Sequence, residues 1–130
     1  MSIRILLDTH VAVWVAGSPG RLGPKTKKLI QTAKEVSVSS ISIAELNMKS
    51  MLGGTKIPSD LSEQFQNANI PVSDFSSNAA DEILRFGSLA KHDPFDRLIL
   101  AQASASGSKL VTSDRTLLAL NLDFVLDAEN

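Results

Sequence analysis

Four carboxylates in this 130-residue chain either follow segments that read as strands or sit where helices begin, and that placement suggests that they meet. In the run Lys91-His92-Asp93-Pro94-Phe95-Asp96-Arg97-Leu98-Ile99, Asp93 reads as a helix N-cap, Pro94 as the first helical residue and Asp96 as the third. That position aims Asp96 at the positive end of the helix dipole, where an ionised carboxylate is expected to be favoured. Asp8 directly follows an aliphatic run, Glu45 is expected in the first turn of a helix, and Asp114 stands two residues beyond another strand-like segment. Each has an ordinary explanation as well: Asp8 and Asp114 as caps, and Ser42-Ile43-Ala44-Glu45 as a capping box. Caps do not explain a gathering of acids, because like charges a few ångströms apart raise one another's pKa values and destabilise the fold. A divalent cation resolves that conflict. With no cysteine and no histidine pair, oxygen ligands favour a hard ion, Mg²⁺ or Mn²⁺, over zinc.

The elements that must position these acids alternate along the chain. Strand patterns cover Ile3–Leu7, Val36–Ser39, Pro71–Ser73, Lys109–Thr112 and Phe124–Leu126. Helical patterns cover Thr9–Ala16, Pro24–Ala33, Ser42–Leu52, Asp60–Ala68, Asn78–Phe86 and Pro94–Ser106, with turn composition at 17–20 and 53–58. Alternation of this kind implies parallel crossovers, hence an α/β fold with a central sheet covered on both faces. In such sheets ligands bind beyond the carboxyl ends of the strands, where Asp8, Glu45, Asp96 and Asp114 are expected. The length suits one domain over residues 1–130.

Composition narrows the partners. The net charge of −1, from 13 Lys and Arg against 14 acids, gives no long basic stripe, so a polyanion would have to be bound by a local patch. Lys25, Lys27, Lys28 and Lys34 read as a solvated helix face. The absence of cysteine and of a basic, apolar leader suits a cytoplasmic protein, and the longest apolar run, Val11 to Ala16, is far short of the roughly 20 residues that cross a bilayer. No membrane partner is expected. Trp14, with Val11, Val13 and Val15, reads first as core packing and second as a partner surface. Met48, Met51 and Leu52 read the same way, core filling first and a groove second.

Four motifs together resemble the PIN domain nucleases, and within them the VapC-type toxin ribonucleases of toxin–antitoxin pairs. They are Leu6-Leu7-Asp8-Thr9-His10, Ser40-Ile41-Ser42-Ile43-Ala44-Glu45-Leu46-Asn47-Met48-Lys49, His92-Asp93-Pro94-Phe95-Asp96-Arg97-Leu98-Ile99 and Leu110-Val111-Thr112-Ser113-Asp114. The resemblance implies a three-layer α/β/α domain with a parallel sheet of about five strands in the order 3-2-1-4-5. It also implies that Asp8, Glu45, Asp96 and Asp114 are the acidic metal-binding quartet, with Asp93 an accessory acid and Thr112 a hydroxyl that helps to hold metal or water. Further implications are an RNA substrate, a homodimer and an antitoxin segment laid along a groove near the acids. Asn47 stands where an apolar residue is usual for the family, and the tail Asp127-Ala128-Glu129-Asn130 has no counterpart in its pattern.

The residue types argue for phosphodiester hydrolysis assisted by metal and against a protein nucleophile, since there is no cysteine and no Ser-His-Asp arrangement. Asp8 and Asp96 are expected to ligate directly, Asp114 to complete the first site, and Glu45 to orient water or a second ion. Arg97 is a candidate phosphate contact. His10 and His92 read as surface or packing residues beside the site. Two other classes compete: a receiver-like Mg²⁺-binding signalling module, and a nuclease fold turned protein-binding module.

Overall fold

A computed structural model describes residues 2–54 and 56–130; Thr55, in the turn expected at 53–58, lies outside the described residues. Five strands, β1 (Arg4–Leu7), β2 (Glu35–Ser39), β3 (Val72–Ser73), β4 (Lys109–Thr112) and β5 (Val125–Asp127), pair in parallel in the order β3-β2-β1-β4-β5. This is the expected order. A receiver-like sheet would run 2-1-3-4-5 instead, so the signalling alternative is excluded by topology.

The alternation of side chains along β1 divides the interior into two layers. Ile5 and Leu7 face one cluster with Val38 and Val111, closed by Val11 and Ala12 of α1 (Thr9–Gly17), Leu29 and Ile30 of α2 (Pro24–Thr32), Leu46 of α3 (Ser40–Met51) and Phe65 of α4 (Leu61–Asn67). Leu6 and Leu110 face the other, closed by Ile99, Leu100 and Ala103 of α6 (Pro94–Ser106) and by Leu117 of α7 (Arg115–Leu118). Between α4 and α6 lies α5 (Ser77–Glu82), which continues as a 3-10 segment over Ile83–Leu89.

The departures from sequence expectation have local causes. The helix expected from Ser42 begins two residues earlier, because Ser39, the last residue of β2, turns its hydroxyl onto the Ile41 N–H at 2.9 Å and becomes the cap. Ser42 is then inside the helix and Glu45 is in its second turn, so there is no capping box. The helix expected to reach Phe86 tightens after Glu82, with Phe86 itself non-helical at φ −114°, ψ 43°. The single-turn α7 and a 3-10 turn at Pro19–Arg21 are too short to show a period. Met48, Met51 and Leu52 are not core residues: they are 53, 85 and 88% exposed. Trp14 is half-buried against the first cluster, with the Arg21 guanidinium 4.6 Å from its ring centroid. Asn47 lies on the solvent side of α3, where a polar residue disturbs no packing.

The tail 127–130 is tied to the start of α2. Gly23 N–H donates to the Ala128 carbonyl at 2.9 Å, and Thr26 donates from its hydroxyl to Asp127 O at 2.8 Å and from its backbone to Asn130 O at 3.2 Å. Arg115 adds contacts of 3.3 Å to Asp127 and 3.0 Å to Glu129. A Cβ at position 23 would overlap the Asn130 carbonyl. Gly23→Ala is therefore expected to destabilise the protein by about 1–3 kcal/mol, as overpacking against backbone does. Urea unfolding checks it, and a midpoint at or above wild type would show that the tail is not held there.

Candidate metal centre

The carboxyl ends of β1 and β4 lie side by side, Leu7 opposite Val111, and each strand is followed by an acid. Asp8 is 4% exposed, with its N–H on the Val111 carbonyl at 2.9 Å. One of its oxygens caps α1, accepting from the Thr9 N–H at 2.8 Å, and the other accepts from the Thr112 hydroxyl at 2.6 Å. The same Thr112 oxygen accepts the Asp114 N–H at 3.0 Å, so one hydroxyl sets both acids. Asp114 spends Oδ1 on the cap of α7, at 2.9 Å from Leu117 N, and turns Oδ2 towards His92.

From the opposite side α6 brings its N-terminus to this edge. Asp93 caps it through the Phe95 N–H at 2.9 Å and is itself exposed. Asp96, in the first turn, has no backbone donor; its neighbour is His92, whose Nε2 lies 3.1 Å from Asp96 Oδ2 and 3.5 Å from Asp114 Oδ2. His92, read from the sequence as a surface or packing residue beside the site, is half-buried there and bridges two acids. His10 is exposed, as expected. Ligand atoms of His92, Asp96 and Asp114 all fall within 4.8 Å of one another, close enough to share an ion.

Glu45 is buried on the third side, where it meets no backbone donor. Its Oε1 accepts from the Thr9 hydroxyl at 2.6 Å and its Oε2 from the Lys49 ammonium at 2.9 Å. A hydroxyl has one proton, so Thr9, donating to Glu45, accepts from Ser42 Oγ at 2.8 Å. Thr9, Ser42 and Lys49 were not singled out by sequence reasoning. The spacing of Glu45 and Lys49, four residues apart, was the available signal.

The charges act on one another. Burial raises the Asp8 carboxyl above its ordinary value against the pull of its Thr112 and Thr9 hydrogen bonds, and Glu45 adds repulsion. Asp96 is pushed up to about 8, by burial first and then by Asp8, Asp114 and Asp93. At Asp96 desolvation and three neighbouring acids thus act against the helix end, as a gathering of acids implies. The donor set fits a hard divalent cation, because carboxylate oxygens gather at Asp96 and Asp114 while the Lys49 ammonium, which also acts on Asp96, is hydrogen-bonded to Glu45. Arg97 is half-buried, forms no ion pair among the described residues, and has an Nε without a hydrogen-bond partner.

A parallel sheet in this order with acids gathered at its carboxyl edge defines an α/β/α domain of the acidic-site type. Residues 5–121 match the PIN domain model, and the chain belongs to the PIN domain family. It is 33% identical over 126 residues to ribonuclease VapC22 of Mycobacterium tuberculosis, covering 87% of this chain and 88% of that protein. Among solved structures, VapBC2 of Rickettsia felis, bound to a DNA fragment from its promoter, gives a TM-score of 0.64 at 18% identity over 98% of this chain and 99% of the other. VapBC-5 of Mycobacterium tuberculosis gives 0.62 at 18% identity over 98% of each chain. At these identities the likeness to the solved structures concerns the fold.

Because Asp96 holds its proton more tightly when folded, at about 8 against 3.8, the folded state carries more protons between those values. Its stabilising effect is complete below the lower value and is lost as pH rises through the upper one. With EDTA present, the melting temperature should fall between about pH 5 and about pH 8, Asp96→Asn should flatten that fall, and Mn²⁺ should restore wild type at the upper end. Parallel melting curves for the two proteins under all conditions would mean that the carboxylates do not interact.

Proposed function

We propose that the chain is a metal-dependent endoribonuclease, the toxin of a toxin–antitoxin pair, and that Asp8, Asp96, Asp114 and Glu45 form its metal-binding and catalytic site. The observation that carries the reading is the gathering of half-buried Asp96 and Asp114 with His92, whose ligand atoms lie within 4.8 Å of one another at the carboxyl edge of the sheet. The ribonuclease name of the 33%-identical relative supplies the substrate class.

A bound Mg²⁺ or Mn²⁺ supplies Lewis-acid polarisation of a phosphate and makes water acidic enough to attack it near neutral pH. Asp8, Asp96 and Asp114 would hold that ion. The chain's other residues prepare the geometry. Thr112 fixes Asp8 and Asp114 together, and Thr9 and Ser42 fix Glu45. His92, with Nε2 between Asp96 and Asp114, holds the two acids in place. Asp93 caps the helix that presents Asp96 and adds negative charge at its rim. Arg97, one residue beyond Asp96 and free of carboxylate partners, binds the RNA backbone.

The antitoxin partner finds support on the surface. Val13, Met48, Met51 and Leu52 are exposed apolar residues on α1 and at the end of α3. A cleft of about 410 Å³ lined by Val13, Ala16, Leu46, Ile57, Leu61 and Phe65 opens between the same helices and α4. An apolar peptide segment suits such a surface. The reading includes a homodimer acting on RNA in the cytoplasm; no helix among the described residues is long and apolar enough to cross a membrane.

Purified protein should cleave RNA in Mg²⁺ or Mn²⁺ and lose that activity in EDTA. Asp96→Asn should lower cleavage by roughly 100-fold or more with the fold retained, since the amide keeps the shape and loses the charge. Arg97→Gln should weaken RNA binding and flatten its salt dependence without altering Mn²⁺ affinity. Undiminished cleavage in EDTA, or wild-type turnover by Asp96→Asn, refutes the assignment.

A further inference from the structure

The acidic edge has two unlike poles. Asp96 and Asp114 are bridged by the His92 imidazole, whereas Glu45 already has an ammonium hydrogen-bonded to it in Lys49. The pair is geometrically secure. Glu45 and Lys49 are one helical turn apart on α3, with the acid on the N-terminal side, the favourable orientation for such a pair. The Glu45 side chain is 4% exposed and that of Lys49 46%, so the lysine reaches in from solvent and its ammonium ends at a buried carboxylate. With Thr9 on the other oxygen, Glu45 has both oxygens engaged. The ammonium is a point charge with three donors, of which Glu45 takes one. Asp93 and Asp96 act on it too, after Glu45 itself, and hold the lysine above its ordinary value.

We propose that Lys49 serves as the built-in second cation of this centre: it neutralises Glu45, so that the protein takes up one divalent ion, at the Asp8, Asp96 and Asp114 side, rather than two. The inference rests on the metal-site reading above. Its chemical content is that two positive centres are still present when RNA arrives, one exchangeable and one covalently fixed. The free donors of Lys49 then face phosphate oxygen in the place where a second ion would otherwise offset charge.

Counting ions tests this without reference to activity. Wild type, Lys49→Met and Lys49→Arg are titrated with Mn²⁺, and the free ion is followed by its paramagnetic resonance signal. Wild type should bind one ion per chain, Lys49→Met two, because Glu45 becomes available, and Lys49→Arg one, because the charge is kept. Two ions in wild type, or one in Lys49→Met, would overturn the role of Lys49 while leaving the metal site standing. No binding by wild type would overturn the metal reading and this inference with it. A lysine that serves only to steady α3 would lower the melting temperature of Lys49→Met and leave the ion count unchanged, which also counts as refutation.

Discussion

The Thr112 hydroxyl is the pivot of the carboxyl edge of the sheet. It donates to Asp8 at 2.6 Å and accepts from the backbone of Asp114 at 3.0 Å, joining the ends of two neighbouring strands through one atom. Hydrogen bonding of this kind favours the charged carboxylate, while burial disfavours it, and at Asp8 burial wins. The acids around this bond are accordingly held close together at the expense of stability. The two hydrophobic clusters on either face of the sheet must offset that repulsion, since little at the edge itself does.

Capping and ligation are usually alternative explanations for an acid at the start of a helix, but here they are complementary. Asp8 and Asp114 each give one oxygen to a helix cap, which fixes the side-chain torsions. At Asp114 the second oxygen is thereby aimed at His92 and the shared space beyond it. Asp96 gives nothing to its helix and carries the largest perturbation. A frame of caps surrounding an acid that is held by no cap suits a centre that accepts and releases a cation without rebuilding itself.

Much of this was readable in the sequence, for physical reasons that differ by element. The aliphatic run at 5–7 and the periodic stretch from Pro94 mark β1 and α6 because burial on both faces, or along one stripe, leaves a pattern that neighbours cannot erase. The placement of Asp8 and Asp114 after neighbouring parallel strands follows from the topology, and that of Asp96 from its position in the first turn of α6. Competition among similar groups was harder to read. Ser39, Ser40 and Ser42 can all cap a helix, and the choice of Ser39 depended on where β2 stopped pairing. At Asp96 the helix end and the neighbouring acids act in opposite directions, and only the first of these is a local property of the sequence. Lys49 meets Glu45 through helical spacing alone, whereas His92 gains Asp114 only through tertiary placement.

The bond between Thr112 and Asp8 spans 104 positions of the chain, and the contacts of Thr26 with the tail span a similar distance. Ribosomes deliver the polypeptide from its N-terminus, at about 5–20 residues per second. For most of that time β1 has neither β4 beside it nor the acid that follows. Such non-local pairing is slow to form, because the loop must be closed before the contact is gained. The carboxyl edge is thus assembled only after residues 109–114 have been made and β4 has paired with β1.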